Sequence, residues 1–381
     1  MTATLDDLTT LFVRLAETLS PSGHERAVAD LIVAEVRAAG LEVREDDSAP
    51  RTGAGAGNLV VRVPGVGRGA GDGGAGTPIA LVAHMDTVPV DGEVRVTIEN
   101  GVARSAGDTV LGADDKAAVT ALVALLRDLA AEPPVADVEV VITASEEVGL
   151  RGAKELDLSS LGAEAAFVFD SEGPVGTVIV SAPTLSTFTV EFRGRAAHAG
   201  IEPEKGRSAV LAAARAVVAM PTGRIDDETT ANVGLVSGGS ATNVVPERCR
   251  LECEARSRDR DKLAAQLERM IEAVNVAAAE CGVDATVTIE EAFDGFDLSS
   301  DDLPVRLAAA ALADVGLEPA YIGTGGGADA NVFNSRGLPA VNLGVGFEAV
   351  HSAQESIVLE RLAQLYALAH AVVRAAGSSA T

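Results

Sequence analysis

Pro78-Ile79-Ala80-Leu81-Val82-Ala83-His84-Met85-Asp86-Thr87 is a short apolar run that ends in His-x-Asp. Unbroken by polar alternation, it has the length and character of a strand buried on both faces. Such a strand does not ordinarily end in a histidine and an acid. The pattern recurs: residues 138–143 lead into Ser145-Glu146-Glu147, and residues 165–169 into Asp170. His351 follows a fourth strand-like run, 339–343, and Asp114-Asp115-Lys116 stands before a helical stretch at 116–130. In open α/β sheets ligands gather at the carboxyl ends of strands, so His84, Asp114, the Glu146-Glu147 pair, Asp170 and His351 converge as candidate metal-site residues. A lone histidine at a strand end is usually structural, and a Glu-Glu pair is usually a solvated face; the convergence of several such ends argues otherwise.

Working outward, helices are expected at about 5–19 and after Ser20-Pro21-Ser22-Gly23, whose Ser and Pro suit a helix start. Residues 58–63 read as a strand, and the Gly/Ala-rich stretch 65–76 as a mobile surface loop. Apolar strands alternating with helices predict an α/β domain, a mixed sheet with helices on both faces. The pattern changes after Ala182. Strands at 185–192, 232–236, 246–256 and 285–291, with helices at 206–220 and 259–281, give the order βαββαβ, a ferredoxin-like α+β unit. The α/β pattern then resumes: helix 302–315, strand 320–322, helix 330–336, strand 339–343 and a last helix 355–375. The expected domains are therefore a catalytic domain in two parts, 1–182 and 293–381, with a lid inserted at 183–292.

The 381 residues include 47% hydrophobic ones, enough for a sizeable core, and carry a formal net charge of −26. That acidic balance excludes nucleic-acid binding, which needs a basic face, and 3% aromatics with no Trp leave no base-stacking platform. No apolar run reaches membrane-spanning length, and the first residues carry no basic leader segment, so a cytoplasmic protein without membrane contact is expected. Three cysteines, Cys249, Cys253 and Cys281, suit a reducing compartment; the first two alternate with Leu251 and Ala255 and are read as packing residues.

His84-Met85-Asp86-Thr87, Gly112-Ala113-Asp114-Asp115-Lys116-Ala117, the stretch from Glu146 to Ala153 and Ala197-His198-Ala199-Gly200-Ile201-Glu202-Pro203 together resemble the co-catalytic zinc family of peptidase T, glutamate carboxypeptidases, succinyl-diaminopimelate desuccinylase and aminoacylase. The resemblance runs nearly end to end and is nearest to peptidase T. It implies that His84 and Asp170 hold one Zn²⁺, that Glu147 and His351 hold a second, and that Asp114 bridges them; Co²⁺ or Mn²⁺ also suit such ligands. It implies Asp86 as hydrogen-bond partner of the His84 imidazole, Glu146 as general base and His198 as donor to the oxyanion. Asn243, Arg256 and the glycine-rich turn around Gly326 would grip substrate. For His198 the plain alternative is a surface turn, for Arg256 an ion pair with a neighbouring strand, and for Asp329 a helix cap. His24 and His370 are read as non-catalytic.

The leading expectation is thus a metallopeptidase: an aminopeptidase of short peptides, tripeptides in the manner of peptidase T. Deacylation of N-acyl amino acids or cleavage of dipeptides keeps the chemistry and changes the substrate. A non-catalytic two-lobed binding protein is a third reading, opposed by the intact Glu146. The inserted domain offers sheet edges and helices for a homodimer.

Overall fold

The computed structural model describes residues 3–68 and 76–379; residues 69–75 of the glycine-rich stretch lie outside the described residues, and Val66–Arg68 before them form one 3₁₀ turn. The chain divides into two compact units, residues 1–180 with 298–323 and 328–381, and residues 181–297 with 324–327.

The first unit is built on a mixed sheet in the order Val43–Glu45, Leu59–Val63, Val138–Thr143, Ile79–His84, Ala165–Ser171, Ala340–Gly344 and Thr177–Ala182. The four strands from Val138–Thr143 to Ala340–Gly344 run parallel, and those flanking them antiparallel. Every residue of Ile79–His84 and Val138–Thr143 is buried, as the unbroken apolar runs demand. The sheet is covered by Leu5–Glu17, Ala113–Ala131, Leu303–Asp314 and Leu359–Ser378, whose Phe12, Leu122, Leu312 and Leu365 enter one continuous core. Parallel register sets the carboxyl ends of neighbouring strands side by side, and His84 pairs with Thr143 across the sheet.

A second, four-stranded antiparallel sheet joins Val96–Glu99, Val102–Ser105, Ser356–Val358 and Phe347–Glu348. None of these short strands is legible in the periodicity, because each has only two to four residues. They change one expectation. The last helix starts at Leu359, and residues 355–358 leave a loop and enter this sheet instead. Ser20–Gly23 also departs from expectation: helix Arg26–Ala38 has no side-chain cap, and the Ser-Pro-Ser-Gly stretch bridges to Thr87.

The second unit has the predicted βαββαβ order, with a two-residue strand Gly223–Arg224 added at one edge. Its antiparallel sheet runs Gly223–Arg224, Thr229–Gly238, Arg248–Ser257, Thr184–Arg193 and Asp284–Phe293. Helices Ala209–Ala219 and Arg260–Cys281 share a separate core with the buried face of that sheet, including Phe188, Phe192, Leu251 and Val274. Cys249 and Cys253 are buried there as free thiols.

Candidate metal centre

His84 ends its strand almost fully buried. Its Nδ1 lies 3.0 Å from the main-chain oxygen of Asp86. A carbonyl only accepts, so Nδ1 carries the proton and Nε2 is free to face Asp114 Oδ1 at 3.1 Å and Asp170 Oδ1 at 3.7 Å. Asp114 sits in the first turn of Ala113–Ala131 with non-helical backbone, φ −80° and ψ 106°, behind Gly112, which is left-handed at φ 73°. Its second oxygen is 3.3 Å from His351 Nε2, which is 3.1 Å from Glu147 Oε1. Asp114 therefore stands between two imidazoles. Ligand atoms of His84, Asp114 and Glu147 lie within 4.8 Å of one another, as do those of His84, Glu146 and Asp170.

The electrostatics follow from this crowding. Burial pulls the His84 pKa down, but the carboxylates of Asp114, Asp170 and Asp86 beside the ring outweigh it and hold it well above its ordinary value. Burial opposes ionisation of Asp114, yet its bonds to His351 and His84 hold its carboxyl well below the usual range. His351, bonded to Asp114 and Glu147, is raised to about 10. Burial lifts Asp170 to about 7 and pushes Glu146 well above the ordinary carboxylate value, the neighbouring Asp170 adding to the latter. Imidazole nitrogen and carboxylate oxygen packed this closely form a donor set that suits divalent Zn, Mn or Co.

The surrounding groups hold these side chains in place. Asp86, fully buried, accepts from the backbone N–H groups of Glu146 (2.9 Å) and Glu147 (3.2 Å) and from Ser22 Oγ (2.6 Å). Its carboxylate is 3.6 Å from His84 Nδ1, farther than its own main-chain oxygen. The imidazole is thus oriented chiefly by the Asp86 carbonyl, while the carboxylate holds the Glu146-Glu147 turn, a division of labour that the His-x-Asp spacing cannot reveal. Glu355 is buried and accepts from Gly112 N at 2.8 Å and Asp114 N at 2.9 Å. Asn342, on the strand beside Asp170, exchanges two bonds with the Asp170 backbone. Asp329 takes a 2.6 Å bond from Thr143 Oγ1, and burial lifts its pKa to about 6. One oxygen each of Asp329 and Asp115 has no hydrogen-bond partner among the described residues. Glu355 and Asn342 are not legible as site residues, because each acts through the backbone of a residue far away in sequence.

His198, Asn243, Arg256 and Gly326 lie in the second unit. His198 is exposed, and its Nδ1 accepts from Gly200 N at 3.2 Å. Ala199 N donates to Asn243 O, so the His198 and Asn243 loops are bound to each other. Arg256 pairs at 3.0 Å with Glu254 of its own strand, not with a neighbouring one, and lies 3.4 Å from Gly325 O. Gly326 N donates to Thr324 Oγ1. His370 bonds Asp128 on helix Ala113–Ala131.

Two family models match the chain: Peptidase family M28 over residues 58–198, the stretch carrying His84, Asp114, Glu146, Glu147 and Asp170, and the peptidase dimerisation domain of M20 peptidases over residues 181–281. Aminopeptidase PepT from Bacillus cereus superposes with a TM-score of 0.85 at 37% identity, covering 99% of this chain and 100% of that one. A tripeptidase from Staphylococcus aureus superposes at 0.90 with 33% identity over the whole of both chains. The chain is a peptidase T-like member of the M20 peptidases. The uncharacterized protein YqjE of Bacillus subtilis is also similar, 38% identical over 96% of this chain and 97% of its own length. Membership makes this a hydrolytic, metal-dependent peptidase, and the second unit of this M20 member is of the dimerisation-domain type. No helix among the described residues is long and apolar enough to cross a membrane.

Proposed function

We propose that this M20 peptidase is a dinuclear zinc aminopeptidase that removes the N-terminal residue of short peptides, tripeptides above all. The observation that carries the metal count is the position of Asp114, with one oxygen 3.1 Å from His84 Nε2 and the other 3.3 Å from His351 Nε2. A carboxylate so placed can serve two cations at once. In this reading His84 and Asp170 would hold one ion and Glu147 and His351 the other, with Asp114 as the ligand they would share. When bound, the ions supply Lewis-acid polarisation of the scissile carbonyl and lower the pKa of water. Glu146 is the general base: it takes the proton from water and hands it to the leaving nitrogen. Its buried site among acids raises its proton affinity, which suits that role. Asp86 holds the backbone of the turn that carries it.

His198 is proposed as donor to the oxyanion. Its Nδ1 already accepts from Gly200 N, so the ring proton sits on the exposed Nε2, the atom free to donate. Asn243, Arg256 and the Gly326 turn are proposed to bind the polar groups of the substrate. Three free thiols support a cytoplasmic location, and the dimerisation-type unit supports a homodimer.

Glu146→Gln tests the reading. Turnover should fall by at least about a thousandfold while metal content, measured by plasma emission spectrometry, stays near that of the unaltered protein. Retained turnover would remove Glu146 from the mechanism. A panel of tripeptides, dipeptides and N-acetyl amino acids with added Zn²⁺, Co²⁺ or Mn²⁺ tests the substrate. Preference for N-acetyl amino acids would replace the aminopeptidase by a deacylase.

A further inference from the structure

Ser20-Pro21-Ser22-Gly23 caps no helix. It lies against the end of the buried strand that carries His84: Ser22 N donates to Thr87 O at 3.1 Å, Thr87 N to Ser20 O at 3.0 Å, and Ser20 Oγ to Met85 O at 2.8 Å. Glu25 follows, fully buried. Its Oε1 accepts from Gly23 N at 2.9 Å and from Ser145 Oγ at 2.8 Å, and its Oε2 accepts from Gly55 N at 2.5 Å. Gly55 approaches so closely that a Cβ there would lie 2.7 Å from Glu25 N. One carboxylate thus ties together three segments distant in sequence. The third of them immediately precedes Glu146. Ser145 is buried and holds φ 54°, the left-handed region that a side chain disfavours.

We propose that Glu25 is a positioning residue for the general base: its carboxylate, through the Ser145 hydroxyl, holds the left-handed backbone that aims Glu146. The proposal rests on the reading of Glu146 as base. The geometry supports the division of roles. Asp86 grips the turn from one side by the Glu146 and Glu147 amides. Glu25 grips it by the preceding side chain, accepting from the Ser145 hydroxyl at 2.8 Å. The Glu25 bonds to Gly23 and Gly55 hold the N-terminal loop itself. Only the Ser145 bond reaches the turn, so it can be removed alone.

Ser145→Ala is the test, run on the metal-loaded full chain beside Glu146→Gln. A base displaced by a fraction of an ångström loses rate and leaves substrate binding intact, so kcat should fall about 10- to 100-fold with KM changed less than about twofold. Bound metal per chain and melting temperature should stay near those of the unaltered protein. Glu25→Gln should lower kcat as well, and Glu25→Gln with Ser145→Ala should be no worse in kcat than Ser145→Ala alone, because both act on the base through the same Ser145–Glu25 bond. Unchanged kcat in Ser145→Ala, beside an inactive Glu146→Gln, would overturn the proposal and leave the base in place. Loss of metal or of folding in step with kcat, or additive losses in the double variant, would also overturn it. Activity in Glu146→Gln would instead sink the reading beneath it. If Glu25→Gln fails to fold, Ser145→Ala decides alone.

Discussion

Asp86 carries more of this centre than its place two residues after His84 suggests. A fully buried carboxylate that accepts two backbone amides and a hydroxyl stabilises the turn and aims what the turn bears. Asp86→Asn would turn an amide N–H₂ against a backbone N–H and remove the charge. The expected loss is about 3 kcal/mol of stability, from bonds to a charged group worth about 1.5–3 kcal/mol each. It should appear as a melting temperature lowered by at least about 5 °C and a kcat about 100-fold lower at saturating metal. A variant that melts like the parent would show that other bonds hold the turn. Asp114 makes a related point. Its side chain is in reach of two histidines, but its backbone is held by Glu355, 241 residues away.

Among the elements, the short helix Arg151–Glu155 shows how tightly the strand ends are bounded. Gly152, its second residue, sits against Ala144, the residue after the strand Val138–Thr143: an added Cβ would lie 2.2 Å from Ala144 O and 2.5 Å from Asn58 Oδ1. Asn58 meanwhile donates to Gly152 O and accepts from Ala144 N. Nothing there is the free end of a flexible chain. Gly152→Ala should therefore cost at least about 1–3 kcal/mol, read as a lower denaturation midpoint with an unchanged slope; an unchanged midpoint would mean that the helix yields freely. The same crowding shows why elements were legible to different degrees. The buried strands at 79–84 and 138–143 and the helix at 113–131 announce themselves by unbroken apolar runs or by period. The three- and four-residue strands Val96–Glu99, Val102–Ser105 and Ser356–Val358 are too short to show such a pattern, and the last of them displaced the predicted start of the final helix.

For the molecule as a whole, the centre is a store of opposed charges that only a cation balances. The pKa of His351 rises from 6.5 to about 10 in the fold, so its proton stabilises the metal-free protein below pH 6.5, a contribution lost as pH rises toward 10. Asp170 rises from 3.8 to about 7, so its ionisation begins to cost the fold above pH 3.8 and costs it fully above 7. Both shifts have one sign: the chelated protein should lose stability between pH 6 and 9. Metal requires neutral imidazoles and ionised carboxylates, so its stabilising effect should grow over the same range, with protons released on binding. Melting curves with chelator and with Zn²⁺ across that range, and calorimetry in buffers of different ionisation enthalpy, measure both; a metal-induced gain that shrinks with pH would contradict the charge balance. Chelation should also abolish peptidase activity, and added Zn²⁺, Co²⁺ or Mn²⁺ should restore it.

Much of this protein was written locally. Unbroken apolar runs make buried strands whatever surrounds them, and an insertion with its own alternation makes its own unit. A histidine or acid at a strand's carboxyl end is carried to the sheet's edge with it. What only the tertiary structure decided was the work of polar groups whose partners are remote in the chain. Glu25 meets Ser145, Glu355 meets Asp114, and the Asp86 carboxylate serves the Glu146 turn more than its neighbouring imidazole. Hydrogen bonds have no period and no preferred sequence separation. Burial excludes the water that would otherwise satisfy such groups, so each takes the partner that packing brings within reach.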